Sequence, residues 1–419
     1  MKIRLNKTMV AVASSALLLA AIPVVGIAES ASATNPTYIV GFQGPLTGSL
    51  NFLGQAAVYG VDLAITQANA SLNLPFTVQA LNPSSPATGT TYDDQCDPSI
   101  SPTEATAAVA QAGLIAIVGP ECSGATRAAY PAYHAANIAT ISPSATAAAL
   151  TTGKTNNTFM RVVPGDDVQG AADAKFIVKT KGAKKVYVLN DASYYGSGLA
   201  TVFNTAAKAN GAKTITATLP TSTACQGTAG TGQFASTATL IKSSHATGVY
   251  YGGYYCDFGQ LLNALHNAHY SGVIMSGDGS EDPALLTSVT APSYAKNVYL
   301  SIAGGSSTLP TWFLSDYNAQ SGAPDAASAP YASQSYDATM MIITAMKQAY
   351  TPGITDAAFR AAVVTKLHRL TYTGLTGVIK FQTNGNLTRS SKINFYQVKS
   401  GQSGAGTTGG YGIKLVSHS

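Results

Sequence analysis

The sequence predicts an α/β protein built as two doubly wound, Rossmann-like lobes, and three observations point there. Helical spacing of apolar residues alternates with short apolar runs from Tyr38 to about Arg161, then again from Pro164 to Ile302. Such alternation twice over fits two sheets better than one long one. The runs are continuously apolar, as in LIAIV at 114–118, which is the pattern of a parallel strand covered on both faces. Finally, two neighbouring runs in the stretch 114–146 each end in a turn rich in hydroxyl side chains.

Taken in order, residues 1–33 read as an export signal. Lys2, Arg4 and Lys7 make a basic start, residues 9–27 are mostly apolar, and Ala31-Ser32-Ala33 fits the small-residue cleavage rule. A strand is expected at 38–43, a helix at 52–69 and a strand at 75–81. Ser101-Pro102-Thr103-Glu104 reads as a capping box opening a helix. The 114–118 strand stops at Gly119-Pro120, with Ser123 where a helix begins. A second strand at 138–141 runs into Ser142-Pro143-Ser144-Ala145-Thr146 and an Ala-rich helical segment. The second series is helix 167–181, strand 185–190, helix 196–210, strand 214–219, helix 233–243, strand 248–252, helix 258–268 and strands 273–276 and 297–302. Long helices follow at 332–350 and 355–367, then strands at 378–382 and 393–398. Residues 401–410 read as a flexible segment.

Without its leader the chain loses three of 24 basic and one of 19 acidic residues, leaving a charge of +3. That is too small and too scattered for a nucleic-acid partner. Carboxylates are few, which suits an acidic exterior, because fewer native ion pairs are lost on protonation. Four cysteines in an exported chain predict disulfides with three possible pairings. Cys96, in a polar loop, is expected to join Cys122 in the hydroxyl turn, which leaves Cys225 with Cys256. No CxxC occurs, and His266-x-x-His269 lacks partners, so no metal and no cofactor are expected. Catalysis is not expected either. There is no G-x-S-x-G elbow, no histidine sits beside a serine at a strand end, and the Gly-rich run 227–232 lacks dinucleotide spacing.

The two hydroxyl turns carry the functional signal. Ser123 and Thr146 each stand where a helix N-terminus offers free N–H groups and a positive dipole end, suited to a small carboxylate. Either alone reads better as a plain N-cap. Together, at adjacent strand ends of an open α/β sheet, they read as a ligand site.

The chain resembles the type I periplasmic solute-binding proteins of the branched-chain amino acid (leucine/isoleucine/valine) class. The matching segments are GPLTGSLNFLGQAAVYG (44–60), DDQCDP (93–98), VGPECSGAT (118–126), ISPSAT (141–146), YGSGLA (195–200) and VYYGGYYCDFGQLL (249–262). The resemblance implies two lobes joined by three crossover strands, with lobe 1 at 34–163 plus 304–390 and lobe 2 at 164–303 plus 391–419. It implies that Ser123 and Thr146 hold a ligand carboxylate, that the Ser144 carbonyl accepts from an ammonium, and that Asp278 faces that ammonium. Tyr195, Tyr254 and Tyr331 would line the cleft, with Leu53 where the class has an aromatic residue. Asp278 is one methylene shorter than the usual Glu, and Cys256 replaces a common Pro. The implied function is capture of a small solute, most simply an aliphatic amino acid, outside the cytoplasm, for delivery by a monomer to an ABC permease. The runner-up is a short amide, urea or aromatic acid, or a ligand sensor on the same fold.

Overall fold

Strand composition sorts itself by position in two sheets. The first holds β1 (Thr37–Gly44), β2 (Thr77–Val78), β3 (Thr91–Asp93), β4 (Leu114–Val118), β5 (Ala139–Ser142) and β6 (Phe159–Arg161). Its order is β2-β1-β4-β5-β6, all parallel, with β3 pairing the C-terminal end of β1. Helices α1 (Asn51–Ser71), α2 (Ser101–Ala110) and α3 (Ser123–Ala135) connect these strands. β4 is buried along its whole length, as an apolar strand between helix layers must be. The structure is a computed structural model describing residues 35–83, 89–155, 157–219, 231–304, 308–389, 392–404 and 406–418. The expected leader, Cys225 and most of the 227–232 glycine run lie outside the described residues.

The second sheet holds β7 (Lys185–Asn190), β8 (Lys213–Thr218), β9 (Gly248–Gly252), β10 (Val273–Ser276) and β11 (Tyr299–Ala303), parallel in the order β8-β7-β9-β10-β11. Around it lie α4 (Asp166–Lys175), α5 (Tyr194–Ala209), α6 (Thr231–Ser243), α7 (Tyr255–Asn267) and the single turn α8 (Leu285–Ser288). Central β9, GVYYG, is wholly buried, whereas edge strand β8, KTITAT, is nowhere fully buried. Both sheets reverse their strand order once, between β1 and β4 in the first and between β7 and β9 in the second. Such switch points are where open α/β sheets leave a crevice at the strands' C-terminal ends.

The chain then returns to the first lobe. Helices α9 (Thr311–Asn318), α10 (Ala332–Ala349) and α11 (Asp356–Leu367), with the hairpin β12 (Thr371–Gly374) and β13 (Gly377–Lys380), share a core with β1 and α1. Finally β14 (Ile393–Ser400), β15 (Thr407–Thr408) and β16 (Tyr411–His418) add antiparallel strands beside β11. The chain thus passes between lobes three times: after β6, after β11 and before β14. Helix α10 is buried on nearly every face, which explains a sequence (ATMMIITAM) without a polar stripe. It crosses α1 at Gly60, where an added Cβ would meet the Ala332 carbonyl oxygen at 2.3 Å.

Several expectations needed correction. Ser101 is not an N-cap: the helix begins at Ser101 with Ile100 in the cap position. The Ser101 hydroxyl turns inward instead, accepting from Gln43 Nε2 (2.8 Å) and donating to the Ala125 carbonyl (2.9 Å). Burying a polar network outweighed local capping. The expected strand at 75–81 shrinks to Thr77–Val78, and the helix expected from 167 to 181 ends as a wider-wound π segment, Phe176–Thr180. The segment expected to be flexible holds β15 and leads into β16, because tertiary pairing with β14 supplies the order that its Gly-rich composition does not. The sequence reading also missed β3, β6, α9 and β12.

Gly60→Ala should force α1 and α10 apart and cost roughly 1–3 kcal/mol, the usual penalty for overpacking. Chemical denaturation of the two proteins would measure it, and an unchanged midpoint would show that the crossing yields freely.

Candidate functional site

The ends of β4 and β5 build one wall. Gly119 leaves β4 at φ +110, where an added Cβ would meet the Gln43 carbonyl at 2.1 Å, so the turn requires glycine. After Pro120 and Glu121, Cys122 occupies the cap of α3 and is bridged to Cys96. Cys256 is also disulfide-bonded, and its expected partner Cys225 is outside the described residues. Ser123 therefore stands inside the first turn of α3 rather than at its cap, and its hydroxyl accepts from the Ala147 N–H (3.2 Å). Ser144 donates to the Glu121 carbonyl (2.9 Å), which ties the two turns together.

The second turn opens only a three-residue helical turn, Ala148–Leu150, so Thr146 has no helix dipole behind it. What organises this turn is Arg161, fully buried at the end of β6. Its Nη1 donates to the carbonyls of Ala145 (3.3 Å), Thr146 (2.7 Å) and Ala147 (3.0 Å), and Nε to Asn386 Oδ1 (2.8 Å). The Arg127 guanidinium, by contrast, lies over the Tyr194 ring, 4.7 Å from its centre.

The opposite wall comes from the second lobe. Asp278, just past β10, is buried, and its carboxylate is held at both oxygens. Tyr195 donates to Oδ1 (2.7 Å) and Tyr331 donates to Oδ2 (2.8 Å). The Gly279 N–H donates to the Tyr195 oxygen (3.0 Å). Tyr331 reaches across from the N-cap of α10 with φ 58, the left-handed region that a bulky side chain avoids. Tyr254 caps α7 and packs on Tyr195 with ring centres 5.3 Å apart.

These walls enclose a cavity lined by Leu53, Glu121, Cys122, Ser123, Ser144, Tyr195, Tyr254, Asp278, Gly279 and Tyr331. Its empty space, mouth included, is about 290 Å³. The structure brings Leu53, Ser123, Ser144, Tyr195, Tyr254, Asp278 and Tyr331 together in that lining. It does not bring Thr146 into it. Thr146 is fully buried, its hydroxyl makes no hydrogen bond among the described residues, and it lies near the Asp166 carboxyl. The lobes meet around the cavity: Leu50 and Leu53 join the apolar cluster of the second lobe, and Tyr255 donates to the Ser49 carbonyl.

The sequence reading missed Glu121 and Asp166. Burial pushes the Glu121 carboxyl up to about 8, with Asp94 adding to the rise and the Ser144 hydroxyl opposing it. Asp166 is pushed up to about 8 by burial and then by Asp278, against the pull of Thr146 and Arg161. Asp278 is raised by burial, although both phenols favour its charged form. An acid beside Pro120 in a turn carries no sequence signal of burial, so only the fold could find Glu121. Among the described residues no group of three or more His, Cys, Asp or Glu side chains is placed to hold a metal ion. His266 instead stacks on Tyr294, ring centres 3.6 Å apart.

Two α/β lobes that meet around one small cavity, at facing switch points, define a protein that clasps a ligand between domains. The chain belongs to the periplasmic binding protein family, whose model matches residues 37–404. It is 29% identical over 295 residues to an amino acid binding protein of Pseudomonas aeruginosa, a match spanning 70% of this chain and 74% of that one. Among solved structures it is similar to a leucine binding protein from Thermotoga maritima (TM-score 0.74, 20% identity, covering 91% of this chain and 98% of that one). It is also similar to a branched-chain amino acid transporter substrate binding protein from Streptococcus pneumoniae, solved with isoleucine (TM-score 0.71, 22% identity, covering 91% and 100%).

The raised acids set a pH dependence. Glu121 and Asp166 ordinarily titrate at 4.5 and 3.8 but are pushed to about 8 in the fold. Between those values the folded state binds more protons than the unfolded state, so stability falls as pH rises through the window. The ligand-free protein should therefore gain unfolding free energy on going from pH 8 to pH 5, on the order of 1 kcal/mol per pH unit for each group in mid-window. Denaturant titrations at a series of pH values would measure the slope, and a loss of stability on acidification over this range would contradict the assignment.

Proposed function

We propose that this protein captures a small amino acid outside the cytoplasm and hands it to a membrane permease. The ligand's side chain has an aliphatic body, and it is released unchanged. One observation carries the reading: Asp278 faces Ser123, Ser144 and the first turn of α3 across one cavity. Hydroxyls and backbone N–H groups suit a carboxylate, and a buried carboxylate with two phenol donors still has lone pairs for an ammonium. A zwitterion satisfies both walls at once. Leu53, Tyr195, Tyr254 and Tyr331 supply the apolar remainder. Membership in a solute-binding family and the printed names of the relatives support the same class. Delivery to a permease and an extracytoplasmic location follow from that family reading. Thr146, behind the lining, is assigned to the carboxylate end as a support of the turn that carries Ser144.

The test is calorimetry with alanine, valine, threonine and leucine against the wild type and Asp278→Asn. If Asp278 meets the ammonium, the substitution should weaken binding by roughly 2–5 kcal/mol, as for truncating one partner of a buried charge pair. Unchanged affinity would remove Asp278 from the site. A protein that ignores all four amino acids but takes a short amide, urea or aromatic acid would hand the assignment to that runner-up. Mass spectrometry should recover the bound solute intact after long incubation, and accumulating product would mean an enzyme.

A further inference from the structure

Glu121 is the lining carboxyl that the amino-acid reading leaves without a role. It is 2% exposed, and neither of its oxygens accepts a hydrogen bond among the described residues. The carboxyl lies against the end of β1, where a Cβ on Gly44 would come within 2.9 Å of Oε2, and beside the Ser144 hydroxyl. Asp278, the other acid in the wall, has both oxygens held by phenols. No cation comes to Glu121 from Arg161, whose donors go to three backbone carbonyls, Thr151 and Asn386. A buried carboxyl with nothing to bond costs free energy whether charged or neutral, so a partner arriving with the ligand removes that cost.

We propose that Glu121 reads the ligand's side chain, hydrogen-bonding a hydroxyl or amide at the end of a short aliphatic stem. This rests on the cavity being an amino-acid site and narrows the side chain it takes. Glu121 shares a wall with Ser123 and Ser144, the carboxylate end, so the group that meets it belongs to a short side chain, three heavy atoms in threonine or four in asparagine. The carboxyl, kept neutral by burial and by Asp94, both donates and accepts, which matches a hydroxyl or amide.

Two isosteric pairs isolate the effect: threonine against valine, and asparagine against leucine. Calorimetry on the wild type should favour the polar member of at least one pair by about tenfold or more, since a site built for a hydrogen bond penalises the analogue lacking it. Glu121→Leu should abolish or reverse that preference, whereas Glu121→Gln, still a donor and acceptor, should keep most of it. Glu121→Leu should also melt higher than wild type without ligand, which shows that it folds. Wild type favouring valine and leucine, with ratios unmoved by Glu121→Leu, would overturn the Glu121 role while leaving the amino-acid site standing. Preference for lysine or 2,4-diaminobutyrate would overturn it in favour of a charge pair. Failure of every amino acid to bind would overturn both readings.

Discussion

The grip of two phenols on one carboxylate holds this structure's logic together. Asp278 belongs to the second lobe, as does Tyr195, but Tyr331 arrives from the start of α10, whose length is packed in the first lobe's core. The bond from Tyr331 therefore links the lobes through the very group that faces the cavity. Losing it would release a strained left-handed tyrosine and uncover a buried charge in one step. A ligand that adds its own hydrogen bond to Asp278 strengthens the same junction, and that is the differential contact a ligand-driven closure requires.

Around that junction the fold gathers acids and withholds cations. Glu121, Asp166, Asp173 and Asp278 are all buried, and burial raises each of them. Arg161, the buried guanidinium beside them, is directed at carbonyl oxygens rather than at carboxylates. It shapes the Ser142–Ala147 turn and leaves Glu121 and Asp166 to meet burial by holding protons rather than by pairing with a cation.

The architecture was legible in sequence wherever burial on both faces forced continuous apolar runs. LIAIV, KVYVLN, GVYYG and VIMS were placed at their observed bounds, and the long helices came within a residue or two. Short edge elements were not legible. Thr91–Asp93 and Phe159–Arg161 owe their conformation to the strands beside them, and Tyr411–His418 to pairing with β14. Of the lining, Ser123 was reached from the hydroxyl turns, and Leu53, Ser144, Tyr195, Tyr254, Asp278 and Tyr331 from the family resemblance. Its unexpected members are residues whose role depends on being enclosed. Glu121 looks like any surface acid until the end of β1 packs against it, and Arg161 looks like a strand end until three carbonyls converge on it.

Glycine-shaped turns, disulfide and buried arginine together hold the walls of this cavity in place. The buried acids beside those walls answer the medium in the reverse of the usual sense. Glu121 and Asp166 are held protonated by the fold, so mild acid tightens this shell where it loosens proteins held by ion pairs. For these two groups durability is greatest on the acid side of neutrality.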